Sequence, residues 1–186
     1  AKPRYIWIDA AANFPDYANS KENIAKDMEK IKAAGFTDII VDVRPTTGDV
    51  LFNTNVVDQV KRMDVWGNSG YSYYERTETW DYLQAFIEEA RIQGLKVNAS
   101  INTFVGGYLC PYNLGHDGVL FRDESKKGWA SVANLADGLT NTMDLLDDET
   151  DYRAKFFNPA NDDVQNFVLQ LLADLAKYDL DGIILD

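Results

Sequence analysis

The segment Leu180–Asp186 reads Leu-Asp-Gly-Ile-Ile-Leu-Asp and has the composition of a buried β-strand that ends on a carboxylate. Three earlier segments are equally rich in Ile, Val, Leu or aromatic residues: Tyr5–Ala10, Asp38–Val43 and Leu95–Ile101. Short apolar runs bounded by turn residues are typical of strands in a parallel sheet that is covered on its faces. The sequence therefore predicts four buried strands.

Amphipathic helix patterns separate these strands. They run from Ser20 to Gly35, from after Thr79 to Gly94, and from after Asn161 to Tyr178. Each pattern carries its apolar residues on one face and is bounded by residue types that favour helix ends. The order βαβαβαβ predicts parallel pairing through right-handed crossovers, and so an α/β barrel or a doubly wound sheet.

The connection lengths favour the barrel. Each helix returns to the next strand through a few residues, whereas the strand-to-helix connections span roughly residues 10–19, 44–78 and 102–160. Barrel enzymes build their sites from long loops at this end of the strands. A doubly wound sheet would carry a Gly-rich turn after its first strand, where this chain reads Asp9-Ala10-Ala11-Ala12-Asn13. We predict the N-terminal portion of a (β/α)₈ TIM barrel, strands one to four with long βα loops, as one domain over residues 1–186.

Polar residues converge on the predicted barrel axis. Because side chains alternate across a strand, one face of the four strands carries Asp9, Asp42, Arg44, Asn98, Asn102 and Asp186. Burying so many polar groups is costly unless they pair or meet a ligand. We expect Asp186 to serve a site, with Asp9, Arg44 and Asn102 as binding residues. Two alternatives remain open: an ion pair between Asp42 and Arg44, and a purely capping role for Asp9.

Charge and composition exclude several classes of partner. The chain has 18 Lys and Arg against 30 Asp and Glu, a net charge of −12, which repels nucleic acid and anionic lipid surfaces. It has no apolar run of about 20 residues and no signal peptide within this span. Cys110 has no second cysteine, and the acidic run from Asp144 to Asp151 lacks the spacing of a calcium loop. We predict no nucleic acid partner, no membrane insertion, no metal and no cofactor.

Several motifs resemble the glycosyl-hydrolase-like family 10 domain. They are Val43-Arg44-Pro45 with Gly48-Asp49-Val50-Leu51, Ala99-Ser100-Ile101-Asn102, Phe157-Asn158-Pro159-Ala160 and Asp181-Gly182-Ile183-Ile184-Leu185-Asp186. With the strand Tyr5-Ile6-Trp7-Ile8, the similarity runs nearly end to end. The resemblance implies an exported bacterial barrel, periplasmic, cell-surface or secreted, that is related to α-amylase-like enzymes and hydrolyses a polysaccharide or a peptidoglycan-type glycan.

The resemblance also implies roles for individual residues. In amylase-like barrels the carboxylate that ends the fourth strand is the nucleophile, and the matching position is Asp186. The family continues past this strand, so the second catalytic carboxylate is expected outside this span. The two edges of the sheet would then be covered by the remaining half of the barrel or by a partner chain. The chain differs from the family at Thr103, where a proline commonly follows the asparagine.

Aromatic residues in the long loops suit the flat faces of sugar rings. We predict Trp66 and Trp129 as sugar platforms, although most loop aromatics are expected to pack the loops themselves. Three functions compete: a glycosidase, a catalytically silent barrel that binds glycan or serves as an assembly surface, and a barrel enzyme for a phosphorylated substrate. The acidic charge weakens the third.

Overall fold

A computed structural model describes residues 2–67, 70–109, 116–145 and 154–186, with the backbone alone for Trp66, Tyr71 and Leu109. The helices are α1 (Ala10–Tyr17), α2 (Lys21–Ala33), α3 (Tyr82–Ile92), α4 (Val119–Arg122) and α5 (Asp162–Leu175), with 3-10 helices at Glu124–Trp129 and Thr142–Asp144. The strands are β1 (Tyr5–Ile8), β2 (Asp38–Arg44), β3 (Arg62–Gly67), β4 (Gly70–Glu75), β5 (Lys96–Ile101), β6 (Val105–Leu109), β7 (His116–Asp117), β8 (Val132–Leu135), β9 (Gly138–Asn141), β10 (Ala154–Phe156) and β11 (Gly182–Leu185).

The central sheet contains β1, β2, β5 and β11 in that order, and every pair in it is parallel. These are the four strands that the sequence predicts, so their number, direction and order are confirmed. The sheet is open, with β1 and β11 at its edges. The chain is therefore a mixed α/β structure, and closure into a barrel stays a prediction.

The two faces of the sheet have different surroundings. On the helix side the core contains six fully buried strand residues: Ile39, Val41, Val43, Val97, Ala99 and Ile101. On the opposite side the edge strand β1 leaves Tyr5 and Trp7 about half exposed, at 52% and 46%. Burial of aliphatic side chains is the main stabilising contribution in such a layer. The alternation predicted for these strand residues is confirmed.

The predicted helices begin and end at the residues that cap them. The Ser20 hydroxyl accepts a hydrogen bond from the N–H of Asn23, and the Asn161 side chain caps α5 in the same way. Helix α3 is capped by Asp81, two residues after the predicted Thr79. Gly94 follows α3 with a φ of 69°, a conformation that glycine adopts without strain.

The first loop contains a helix that the sequence reasoning missed. Residues 10–19 were expected to be a loop, and this prediction is wrong because α1 occupies most of that span. Pro15 and Asn13 disfavour a helix. The helix forms nonetheless because Asp9 caps it and because Phe14 and Tyr17 are buried.

The other two long connections also contain secondary structure. The connection between β2 and α3 includes the antiparallel hairpin β3–β4. The connection between β5 and α5 includes a small sheet in the order β10-β6-β7 and the hairpin β8–β9. The loops are therefore folded units rather than plain connections. No helix in the described ranges is long and apolar enough to cross a membrane.

The loops after β2 and β5 are packed tightly against each other. The Asp49 carboxylate is buried and accepts two hydrogen bonds from the Arg122 guanidinium, one of them at 2.8 Å. Gly118 has a φ of 94°, and a Cβ built on it would lie 2.3 Å from the Cα of Gly107 and 2.7 Å from the carbonyl oxygen of Thr47. A side chain at position 118 therefore has no room.

We expect Gly118→Ala to lower the free energy of unfolding by about 3 kcal/mol, because it adds a backbone clash to a positive φ. Urea unfolding followed by circular dichroism measures this change. Gly128→Ala is the matched control, since a Cβ there meets no atom within 4 Å. Equal stability of the two variants would contradict the close contact at Gly118.

Candidate functional site

Three carboxylates lie at the C-terminal end of the central sheet. Asp9 directly follows β1, Asp42 lies near the end of β2, and Asp186 directly follows β11. The N–H of Ala10 donates to Oδ2 of Asp42 at 3.4 Å, which ties the end of β1 to β2. The predicted convergence of Asp9 and Asp186 on one end of the sheet is confirmed, and Asp42 lies between them.

Asp42 has an unusual electrostatic environment. Burial raises the pKa of Asp42 to about 7, and the nearby charges of Asp9 and Asp186 raise it further, while hydrogen bonds from the N–H groups of Ala10 and Arg44 act in the opposite direction. None of the ion pairs between described residues involves these three carboxylates. A carboxyl group in this position therefore holds a proton near neutral pH.

Tyr82, the first residue of α3, lies beside Asp42. Its side chain is 1% exposed, and its hydroxyl group has no hydrogen-bond partner among the described residues. Burial raises the pKa of Tyr82, and the nearby Asp42 carboxylate adds to the rise. The carbon atom of the Arg76 guanidinium lies 6.0 Å from the centre of the Tyr82 ring. The sequence reasoning missed Tyr82, because nothing in the local pattern distinguishes it from a core aromatic residue.

Main-chain hydrogen bonds fix the position of Asp186. Its N–H donates to the carbonyl oxygen of Ile101 at 3.0 Å, and its main-chain oxygen accepts from the N–H of Thr103 at 3.1 Å. A proline at position 103 could not make the second bond, so Thr103 supports Asp186 directly. The N–H of the half-buried Asn102 donates to the carbonyl oxygen of Arg44 at 2.9 Å. Asn102 and Asp186 thus lie at the same sheet end, as predicted.

Arg44 does not face the barrel axis, so the predicted orientation is wrong. The register shifts between Asp42 and Arg44, which places Arg44 opposite the helix-facing Ile101. The Arg44 side chain is fully buried, and its guanidinium donates to the carbonyl oxygens of Asn102 (2.5 Å), Thr103 (3.3 Å) and Val105 (2.5 Å). Arg44 is therefore left out of the proposed substrate-facing group.

The ion pair considered between Asp42 and Arg44 is also absent from the described structure. The main-chain N–H of Arg44 donates to Oδ1 of Asp42 at 3.3 Å, while the guanidinium points into the core. The central carbon of the Arg44 guanidinium, Cζ, lies 5.9 Å from the ring centre of Phe157 and 5.6 Å from that of Phe167. Within the described part of the chain, Asp42 therefore forms no ion pair with Arg44.

Three further residues were predicted to bind substrate: Asp9, Trp129 and Trp66. The Asp9 carboxylate accepts from the N–H of Ala12 at 2.7 Å and so caps α1. Its role in binding stays a prediction. Trp129 is half-buried and packs edge-on against Phe157, with the ring centroids 5.9 Å apart. Its role as a sugar platform stays a prediction. The Trp66 side chain lies outside the described residues.

No metal site is found where the structure can be described. In residues 2–67, 70–109, 116–145 and 154–186, no group of three or more His, Cys, Asp or Glu residues could hold a metal ion. Cys110 and most of the acidic run that ends at Asp151 lie outside these ranges. The chemistry that the site itself can provide is acid–base and nucleophilic chemistry of carboxyl groups.

The raised pKa of Asp42 has a consequence for stability. In the unfolded chain an aspartate titrates near pH 3.9, so between about pH 4 and pH 7 the folded protein holds a proton that the unfolded chain has lost. The stabilisation that protonated Asp42 gives to the folded protein is therefore fully present below about pH 4 and is lost as the pH rises through 7. An asparagine at position 42 does not titrate, so the free energy of unfolding of Asp42→Asn should not show this pH-dependent decrease.

We compare the free energy of unfolding of Asp42→Asn with that of wild type at pH 5 and at pH 8. From pH 5 to pH 8 we expect the variant to gain about 1–3 kcal/mol relative to wild type. Urea unfolding at both pH values measures the shift, and Asp49, whose pKa burial raises to about 6, cancels because both proteins carry it. Asp38→Asn, the same substitution at the opposite end of β2, is the matched control. A difference that does not vary with pH would contradict the environment described for Asp42.

Comparison with known proteins finds one relative in sequence and several solved structures of similar fold. No family model matches the chain. An S-layer-related protein of Niallia circulans is 28% identical over 189 residues, which cover 97% of this chain and 11% of that protein. Among solved structures, an α-L-fucosidase isoenzyme 2 from Paenibacillus thiaminolyticus matches with a TM-score of 0.60 and 21% identity, over 100% of this chain and 23% of that one.

A maltogenic α-amylase from Thermotoga neapolitana matches with a TM-score of 0.54 and 14% identity, over 97% of this chain and 38% of that one. At these identities the likeness establishes the fold alone. The chain has the mixed α/β arrangement found in parts of glycoside hydrolases, and it spans a small part of the length of each of these proteins.

Proposed function

We propose that this chain is the N-terminal half of a (β/α)₈ glycoside hydrolase that cleaves a polysaccharide or a peptidoglycan-type glycan, with Asp186 as its nucleophile. The observation that carries the proposal is the position of Asp186, at the C-terminal end of the fourth of four parallel strands. Barrel enzymes place their catalytic groups at this end of the strands. Glycoside hydrolysis requires a pair of carboxyl groups.

The surroundings of the sheet support a larger barrel. Ile183 and Leu185 of β11 lie on the helix side, opposite Ala99 and Ile101, yet they are 36% and 56% exposed. At the other edge, Tyr5 and Trp7 of β1 are also exposed. Further strands and helices of the same barrel, or a partner chain, would cover these residues and both edges.

The comparisons support a carbohydrate-related function outside the cytoplasm. The structural neighbours include an α-L-fucosidase and a maltogenic α-amylase, and the relative in sequence is an S-layer-related protein. We infer an exported protein of the cell surface that acts on or binds glycan. The resemblance to the glycosyl-hydrolase-like family 10 domain points to the same class of substrate.

The proposed function is tested by incubating the complete protein with purified peptidoglycan and with a panel of neutral polysaccharides. Release of new reducing ends that requires the protein is the expected result. Binding of these glycans in a pull-down assay without any release would contradict hydrolysis. That outcome would favour the second candidate, a catalytically silent barrel that binds glycan or serves as an assembly surface, which the S-layer-related relative also supports.

A further inference from the structure

We propose that the connection between β2 and α3 forms a second binding site, which takes the carboxylate groups of an acidic glycan. The site is a cavity of about 540 Å³ formed by residues 53–61 and 76–80. Its lining does not include Asp9, Asp42 or Asp186. The proposal therefore goes beyond hydrolysis at the sheet end and does not depend on it.

Polar side chains make up most of the cavity wall. Asn53, Asn55 and Gln59 bring carboxamides, which donate and accept hydrogen bonds, and Thr79 brings a hydroxyl group. A second cavity of about 350 Å³ shares Asn53, Thr54 and Asn55 with the first. Sites for small ligands have volumes of about 300–1,000 Å³. The two cavities together therefore have room for linked sugars, whose hydroxyl groups suit these side chains.

Arg76 is the main cation of the site. Its Nε donates to the carbonyl oxygen of Ala18 at 3.0 Å, and its Nη2 donates to the carbonyl oxygen of Trp80. The guanidinium carbon also lies 4.7 Å from the centre of the Trp80 ring. Among the described residues nothing accepts a hydrogen bond from Nη1. The guanidinium is thus held in place with one nitrogen left for a ligand.

The charge of Arg76 has no counterpart in the described part of the chain. Arg76 is half-buried and forms no ion pair there. The other half-buried arginines, Arg62, Arg91 and Arg122, each pair with at least one aspartate. A guanidinium that is already ordered binds a carboxylate through a planar fork at little further cost in side-chain entropy.

Two lysines add positive charge around the cavity. Lys61 lines it, and Nζ of Lys21 lies 5.5 Å from the ring centre of Trp80, which also lines it. Both lysines are exposed, and neither forms an ion pair among the described residues. Glu78 is the acidic residue of the lining. Nearby Asp81 already accepts hydrogen bonds at both carboxylate oxygens, so the cavity keeps a net positive charge.

The overall charge of −12 does not exclude an anion from this cavity. At physiological ionic strength, charges more than about 8 Å away are largely screened, so the nearest cations decide. Carboxamides and a hydroxyl beside those cations favour a ligand that carries both hydroxyl groups and carboxylates. An acidic glycan has both, whereas a neutral glycan lacks the charge and an acidic polypeptide lacks the sugar hydroxyl groups.

Isothermal titration calorimetry on the complete protein measures binding, with Asp186→Asn as the background so that the ligand is not hydrolysed. One probe is hexagalacturonate, and the other is peptidoglycan glycan strands freed of their peptides. They distinguish the carboxylates of uronic acids from those of muramic acid. We expect at least one probe to bind about 10-fold or more tightly than its methyl ester, because the ester has no charge for Arg76 to meet.

Substitutions in the same background assign the binding to this cavity. Lys61→Gln should weaken binding by about 2–5-fold, and Glu78→Gln should strengthen it by a similar factor. Arg76→Gln should weaken it by about 10-fold or more, with thermal melting as the check on folding. Lys96→Gln removes the same charge at the start of β5 and is the control that should bind like the background protein.

Several results would overturn this site. They are equal affinity for a probe and its methyl ester, and Lys61→Gln and Glu78→Gln variants that both bind like Lys96→Gln. Poly-glutamate that binds as tightly as the glycans, with the same response to the variants, would assign the cavity to an acidic polypeptide instead. None of these results depends on hydrolysis, so the failure of this site and the failure of the proposed function are separate outcomes.

Discussion

Replacing Asp186 by Asn in the complete protein should lower glycan hydrolysis by about 10³-fold or more and leave the fold nearly unchanged. An ionised carboxylate can attack the anomeric carbon or stabilise the positive charge that develops on the sugar, and the neutral amide can do neither. The main chain of Asp186 makes the hydrogen bonds that position it, with the carbonyl of Ile101 and the N–H of Thr103. These bonds are unaffected by the substitution.

Single-turnover hydrolysis of peptidoglycan and thermal melting provide the two measurements. Asp179→Asn is the matched control, because Asp179 lies in the turn before β11 with its side chain 84% exposed. We expect that variant to hydrolyse glycan like wild type. If Asp186→Asn retains near-normal turnover on a substrate that wild type cleaves, Asp186 is not the nucleophile.

The fold could be predicted from the sequence where local pattern and tertiary packing agree. Four apolar strands, their order and the three amphipathic helices follow from periodicity and capping residues, of which Ser20 and Asn161 are examples. Helix α1 could not be predicted, because Pro15 disfavours a helix and the burial of Phe14 that stabilises it depends on contacts distant in sequence. The strands within the two longer connections could not be predicted either, because they too depend on contacts distant in sequence.

The candidate site was predicted in part. The strand pattern correctly puts Asp9, Asn102 and Asp186 at strand ends, since each directly follows a strand. It fails at Arg44 because the register shift beyond Asp42 reverses the side to which the next side chains point. This irregularity leaves no signal in the sequence, yet it separates Arg44 from Asp42.

The buried guanidinium of Arg44 leads to the second large expected effect, on stability. We expect Arg44→Ala to lower the free energy of unfolding of the complete protein by about 3–5 kcal/mol. The substitution leaves the carbonyl oxygens of Asn102, Thr103 and Val105 without their donor and opens a cavity beside Phe157 and Phe167. Burial lowers the pKa of Arg44 to about 10, so the side chain keeps its charge at neutral pH.

Arg44→Lys tests whether the shape of the guanidinium matters in addition to its charge. A lysine keeps the charge but lacks the planar fork that reaches carbonyl groups on two sides, so we expect a loss of about 2 kcal/mol, between those of alanine and wild type. Urea unfolding measures all variants, with Lys30→Ala, at a side chain 72% exposed on α2, as the control near wild type. If Arg44→Ala is as stable as wild type, the hydrogen bonds of the Arg44 guanidinium are not needed to hold residues 102–105 in place. The hydrogen bond from Thr103 to Asp186 would then not depend on Arg44 either.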